Sequence, residues 1–202
     1  MKKLILLLST VFALAAFTGC DEKAKLAQSL EGSWAASPEK IPTHSDMVSA
    51  SMIEIFEFSP VQGQANGTLT VNGLVSFSSP LPPTASVEQP VSISASGIIT
   101  GNGTWTAVDD DEIIVSVDPM SIQVTVDSSA VVLNYNVLSM QDQPDLTSLK
   151  PAVAEHVRQQ ILLLAGQKLT SINKIDDIKI KDNLMSCEIG KKDMTLRRQV
   201  AL

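Results

Sequence analysis

Between Gly67 and Tyr135 the chain alternates apolar and polar residues with a period of two, broken at short intervals by Gly, Pro, Asn and Asp. Alternation at this period marks half-buried strands, and the breaks mark turns. Leu69, Val71, Val75 and Phe77 share one face, and Thr68, Thr70, Asn72, Ser76 and Ser78 share the other. Gly73 interrupts the apolar set, which predicts either one strand or a hairpin bent at Asn72-Gly73. Val91, Ile93 and Ala95 alternate with serines, and Gly101-Asn102-Gly103 offers the positive-φ residues of a tight reversal before Trp105 starts a new strand. Three short apolar sets follow: Ile113, Val115 and Val117; Ile122, Val124 and Val126; Val131, Leu133, Tyr135 and Val137. Asp118-Pro119 and Asp127-Ser128-Ser129 separate them. Short strands at near-regular spacing predict an antiparallel meander that closes into a barrel or stacks as a sandwich.

On either side the pattern changes. Leu30-Glu31-Gly32-Ser33-Trp34 opens the folded part, and Met52 to Phe58 reads as a strand whose alternation breaks once, the mark of a bulge. Pro80, Pro82, Pro83 and Pro90 make Ser79 to Pro90 a loop or an edge, because proline cannot donate to a central ladder. The window Ala152 to Leu169 switches to helical spacing, with Val153, Val157, Ile161, Leu164 and Lys168 in phase. Thr147 or Ser148 can cap it and Pro151 suits its first turn, so a helix over about 150–166 is expected to lie against the sheet or plug one end of it. Strands at Ile175 to Ile180, Leu184 to Ile189 and Met194 to Val200 finish the chain. The expected fold class is all-β and mainly antiparallel: a barrel of about 8–10 strands over residues 30–202 with one α-helix inserted in the C-terminal half, a β-sandwich being the alternative.

The N-terminal stretch follows neither period. Lys2 and Lys3 precede a mostly apolar run, Leu4 to Phe17, which is too short for the roughly 20 residues of a transmembrane helix. That is the anatomy of a signal peptide over residues 1–19. Its end, Phe17-Thr18-Gly19-Cys20, resembles the lipobox of bacterial lipoproteins, with Phe17 in place of the usual Leu. The resemblance implies acylation of Cys20, and since each buried methylene contributes ~0.8 kcal/mol, several acyl chains would hold the protein to a membrane. Residues 20–29 are short, charged and without strand periodicity, and read as a tether; nine residues from Asp21 to Ser29 would reach ~30 Å when extended.

Charge and cysteine content narrow the partners. Removing residues 1–19 takes away two lysines and no acid, so 15 basic residues become 13 against 22 acidic ones and the net charge moves from −7 to −9. Nucleic acid and anionic headgroups are disfavoured by that balance. With Cys20 acylated, Cys187 is left unpaired; inert burial in its apolar strand is expected over a nucleophilic role. Asp109-Asp110-Asp111-Glu112 lacks the spaced ligands of a calcium loop and reads as a solvated turn. His44 and His156 have no His or Cys neighbour at ligand spacing, so no metal site and no cofactor are expected. No Gly-x-Ser-x-Gly occurs, and the chain is read as non-enzymatic.

Leu30-Glu31-Gly32-Ser33-Trp34 resembles the Gly-x-Trp opening of lipocalin and calycin barrels, and in particular of small lipocalin-like lipoproteins of Bacteroidetes-type bacteria. A second such phrase, Gly103-Thr104-Trp105, leads through Asp109-Asp110 to Glu112-Ile113-Ile114-Val115, and the segments Ile178 to Leu184 and Met194 to Arg198 are similar to the closing strands of that group. The resemblance implies that Arg198 covers Trp34 and closes the barrel, worth ~0.5–2 kcal/mol. It also implies a small apolar ligand inside the barrel, with Trp105, Phe77 and Tyr135 as ligand-facing residues. Aromatics make up only 4% of the chain, which disfavours sugar binding, and Val115, Val124 and Leu133 would readily fill a core. Two functions are expected on these grounds. One is a membrane-anchored binding module for an apolar ligand; the other is a structural or assembly lipoprotein with a solid barrel that meets another envelope protein. The acidic residues after Cys20 resemble both an inner-membrane retention signal of enterobacteria and a surface-export signal of Bacteroidetes, and the lipocalin likeness favours the second, hence the outer membrane.

Overall fold

The longest strand sets the frame. In the structure, a computed structural model that describes residues 22–81, 90–135 and 145–199, strand β5 runs unbroken over Val91–Ala107. The leader 1–19, Cys20, Pro82, Pro83, Val137 and Val200 lie outside the described residues. The other strands are β1 (Gly32–Ala35), β2 (Glu39–Ile41), β3 (Ser49–Pro60), β4 (Asn66–Pro80), β6 (Ile113–Val117), β7 (Gln123–Val126), β8 (Val132–Tyr135), β9 (Lys174–Lys181), β10 (Leu184–Ile189) and β11 (Lys192–Gln199). Helix α1 is described over 22–30 and helix α2 covers Lys150–Thr170.

Eight of these strands close a ring. The order β1-β11-β10-β9-β6-β5-β4-β3 returns to β1, because β1 pairs antiparallel with both β11 and β3. The fold is therefore mostly antiparallel β, a closed eight-stranded barrel with a helix in the C-terminal half. Strands β3, β4 and β5 are too long for the ring and continue past it as an open sheet, with β2 at one edge and β7 and β8 at the other. Helix α2 covers the inner face of that sheet: Val153, Val157, Ile161, Ala165 and Leu169 are buried, one helical stripe on one side. The sheet makes room for it at Gly97, where a Cβ would sit 2.8 Å from Ile161 Cδ1.

Several turns expected from the pattern are absent. Gly101-Asn102-Gly103 does not reverse the chain, whereas at Asn72-Gly73 the strand reading holds over the hairpin, since β4 runs straight through. Gly103 is needed for close approach, since a Cβ there would run into the Ser116 carbonyl of β6. Strands β6, β7 and β8 do not form a meander either; all three pair with successive parts of β5, as one interrupted strand. Between the pairs Gly103↔Val117 and Thr100↔Gln123 the chain takes three steps along β5 and six on the other side, and the same excess recurs between Gly97↔Val126 and Ser94↔Val132. Each excess is a short 3-10 turn held by an aspartate: Asp118 Oδ1 accepts from Met120 N–H at 2.9 Å, and Asp127 Oδ1 from Ser129 N–H at 2.8 Å. Such Asx turns pinch the strand outward without turning it back.

Three further expectations shift. Strand β3 has no bulge; it pairs residue by residue with β4, and the irregularity lies between Ser186 and Glu188 where β10 meets β9, near Asp177 with φ 49°. The stretch read as a tether is helical from residue 22, because Leu26, Ala27 and Leu30 fall on one helical stripe and are buried in the core. Helix α2 starts at Lys150 and reaches Thr170, with Pro151 in its first turn; no side chain caps its first residue, and the preceding turn Thr147–Leu149 is held by Asp145.

Two glycines should respond in opposite directions. Gly103→Ala is expected to destabilise by about 1–3 kcal/mol through its clash with β6. Gly166→Ala, inside α2 with the nearest atom 4.0 Å from the new Cβ, is expected to stabilise by up to about 1 kcal/mol through helix propensity. Urea denaturation of the two variants beside the parent protein checks both signs.

Candidate functional site

The barrel interior is filled. Trp34, Phe56, Phe58, Leu69, Trp105, Met185 and Leu196 point inward and none is more than 1% exposed. Phe58 meets the edge of Trp105 at 5.9 Å between centroids, and Phe56 stacks beside Phe58 at 6.4 Å. Both indole N–H groups are satisfied by backbone carbonyls: Trp34 donates to Leu30 O at 2.8 Å and Trp105 to Thr68 O at 3.0 Å.

One end of the barrel is closed by α1. The Arg198 guanidinium lies 4.2 Å over the Trp34 ring, and the two residues are direct cross-strand partners on β11 and β1. The same guanidinium donates to Ser29 O at 2.8 Å and to Glu31 O. A cation thus meets one carbonyl in the last turn of α1 and one just beyond it, where the helix dipole is negative.

The other end is closed by charge. Glu54 faces inward on β3, in phase with Met52, Phe56 and Phe58, and is only 2% exposed. Lys168, near the end of α2, places Nζ 2.7 Å from Glu54 Oε2 and 3.2 Å from Glu39 Oε2, while Lys192 binds Glu39 Oε1. Glu54 Oε1 is buried without a hydrogen-bond partner. The Lys192 hydrogen bond, helped by Lys168 and opposed by burial, holds the Glu39 carboxyl below the usual carboxylate range. This cluster ties α2, β2, β3 and β11 together over the mouth.

The residues expected to face a ligand occupy three different places. Trp105 is core packing in the barrel. Phe77 is buried on the inner face of the open sheet, opposite Ala50 and Ala95. Tyr135, at the end of β8, sits opposite Val91 in a small satellite cluster with Leu81, Leu133, Leu146 and Leu149. Trp34 and Arg198 are brought together; these three are not. Cys187 is buried, and burial pushes its thiol up to about 12, which removes the thiolate needed for attack. His156 lies exposed on α2 and His44 in an exposed loop. Glu112 of the acidic turn is engaged by Lys174 at 2.9 Å, and among the described residues no group of three or more His, Cys, Asp or Glu is arranged to hold a metal ion.

Among the described residues, two hollows lie outside the barrel along the open sheet, the first of them reaching Phe77 at the sheet's end. One of about 730 Å3 lies between the loop carrying Thr43 and Asp46 and the row Ser49, Ser78 and Ser94. Beside it, a trough of about 600 Å3 has a floor of Ile53, Leu74 and Ile98, which pair in one row across three strands. Leu74 and Ile98 are 49% and 53% exposed. The next row, Lys40, Ser51, Ser76 and Ser96, puts hydroxyls along its side, and Asp127 stands at the far rim. The sequence shows this surface only as ordinary alternation, because the three aliphatics lie on three separate strands and look like single exceptions in each.

No family model, no curated protein and no solved structure matches the chain.

The buried ion pair offers a decisive energetic test. Lys168→Met is expected to destabilise by roughly 3–5 kcal/mol, because it strands the Glu54 charge in the interior. The double variant Glu54→Met with Lys168→Met should cost much less than the single one, since Glu39 keeps Lys192. Denaturant melts of the two singles and the double measure it.

Proposed function

We propose that the protein is a lipid-anchored envelope protein in which the barrel is a solid scaffold and binding takes place on its surface. The observation that carries this reading is the packing of Trp34, Trp105, Phe56 and Phe58, which leaves the centre of the barrel to side chains. A barrel of about eight strands is just wide enough for its own side chains or one small ligand, and the aromatics here take that space. A small apolar ligand in the barrel, as the lipocalin likeness implies, would have to displace them. The partner favoured is therefore another envelope protein, and the trough around Leu74 and Ile98 is its seat: apolar in the centre, hydroxylated at the side and charged only at the rim. The closed eight-stranded antiparallel barrel is compatible with a lipocalin-like barrel, and kinship with the lipocalin-like lipoproteins of Bacteroidetes-type bacteria belongs to this proposal. So do acylation of Cys20, location at the outer membrane, and a role without catalysis or cofactor.

Cell fractionation tests the anchor: the parent chain should pellet with membranes and Cys20→Ser should move to the soluble fraction. If Cys20→Ser stays with the membranes, the anchor is misassigned. For the solid barrel, the melting temperature should stay unchanged across a panel of fatty acids, bile acids and hydrophobic dyes, and lipid found co-purified by mass spectrometry would restore the carrier reading.

A further inference from the structure

We infer that the α1 end of the barrel lies directly against the lipid surface, with Val61, Val108 and Leu184 seated in the interface. The inference rests on the proposed acylation of Cys20 and adds an orientation to it. The described helix is in place from residue 22, two positions after Cys20, and two residues of chain span at most ~7 Å, so the anchor can lie no farther than that from the rigid body. Helix α1 is itself fixed to that body: Leu26, Ala27 and Leu30 are buried, and Arg198 holds the carbonyls of Ser29 and Glu31. Acyl chains on Cys20 therefore bring one particular end of the molecule to the headgroups.

That end carries three hairpin turns. The β3–β4 turn holds Val61, which is 44% exposed; the β5–β6 turn holds Val108, 39% exposed; the β9–β10 turn leads into Leu184, 45% exposed. Their common level follows from the backbone: Ala107 N–H donates to Ala65 O, Ile178 N–H to Asp111 O, and Arg198 N–H to Asn183 O beside the start of β1. One apolar side chain at each hairpin, arranged around the short acylated lead, is an arrangement that a lipid interface accommodates. The charges there choose among lipids. Asp109 and Asp110 beside Val108 and Asp182 beside Leu184 outnumber Lys181 at these turns, and anionic headgroups would repel that balance, so the surface expected is zwitterionic phospholipid. The far loop, with Met47 72% exposed, lies thirteen residues of β5 away, roughly 40 Å at ~3.3 Å each.

The test uses the full acylated protein, purified from membranes in detergent and reconstituted into vesicles of phosphatidylcholine and phosphatidylethanolamine. Val61→Cys, Val108→Cys, Leu184→Cys and the distant control Met47→Cys each receive one environment-sensitive dye; Cys187 is buried and does not compete. Quenching by lipids bearing a spin label near the headgroup should be several-fold stronger at the three hairpin positions than at Met47. If all four dyes are quenched alike while the protein floats with the vesicles and Cys20 carries its acyl mass, the orientation is wrong and the anchor stands. If the acyl mass is absent and the protein fails to float, both readings fall.

Discussion

Closure of the ring depends on one strand of four residues. Strand β1 has to pair with β11 on one side and β3 on the other, and Trp34 at its centre is opposite Arg198 in one direction and Phe56 in the other. Without β1 the ring would open between β11 and β3 and add edges there, and edges invite pairing with other chains. So short a strand cannot hold by its ladder alone. What fixes it is the indole in the core, the guanidinium over its face and the helix that the guanidinium caps. Sequence, closure and the position of α1 thus converge on a single pair of residues 164 positions apart, Trp34 and Arg198.

The all-β class, the barrel and the C-terminal helix were legible because period-two alternation and the change to helical spacing are local signals. Trp34 with Arg198 was legible through the Gly-x-Trp phrase and the resemblance it carries. What failed were the turns. Gly101-Asn102-Gly103 has the composition of a reversal, yet Gly103 serves the close approach of a neighbouring strand, a demand set by residues far away in sequence. Asp118 and Asp127 do form turns, but an Asx turn within an extended chain and one that reverses it use the same residues. The lead after Cys20 was judged only against strand periodicity, and its helical stripe of Leu26, Ala27 and Leu30 went unread.

Glu54 shows the same limit from the other side. A glutamate in phase with Met52, Phe56 and Phe58 looks like a flaw in alternation, and a bulge is the economical repair. In the fold the alternation is intact, and the glutamate is inside because Lys168 arrives from α2 to meet it. A buried charge pair contributes little net stability, but it penalises any other seating of the helix. The apolar stripe of α2 could slide along an aliphatic sheet; a lysine that must find one carboxylate cannot.

The three long strands have a mechanical meaning. Strands β3, β4 and β5 pass from barrel to open sheet with no loop between the two, so the molecule has no hinge at the place where two-part proteins bend. A pull applied to the outer sheet is carried along hydrogen-bonded strands to the α1 end. Load in that direction acts on many ladder bonds at once in shear, where a hinge would let them open one after another. Barrel and open sheet would therefore resist bending relative to one another as one stiff piece.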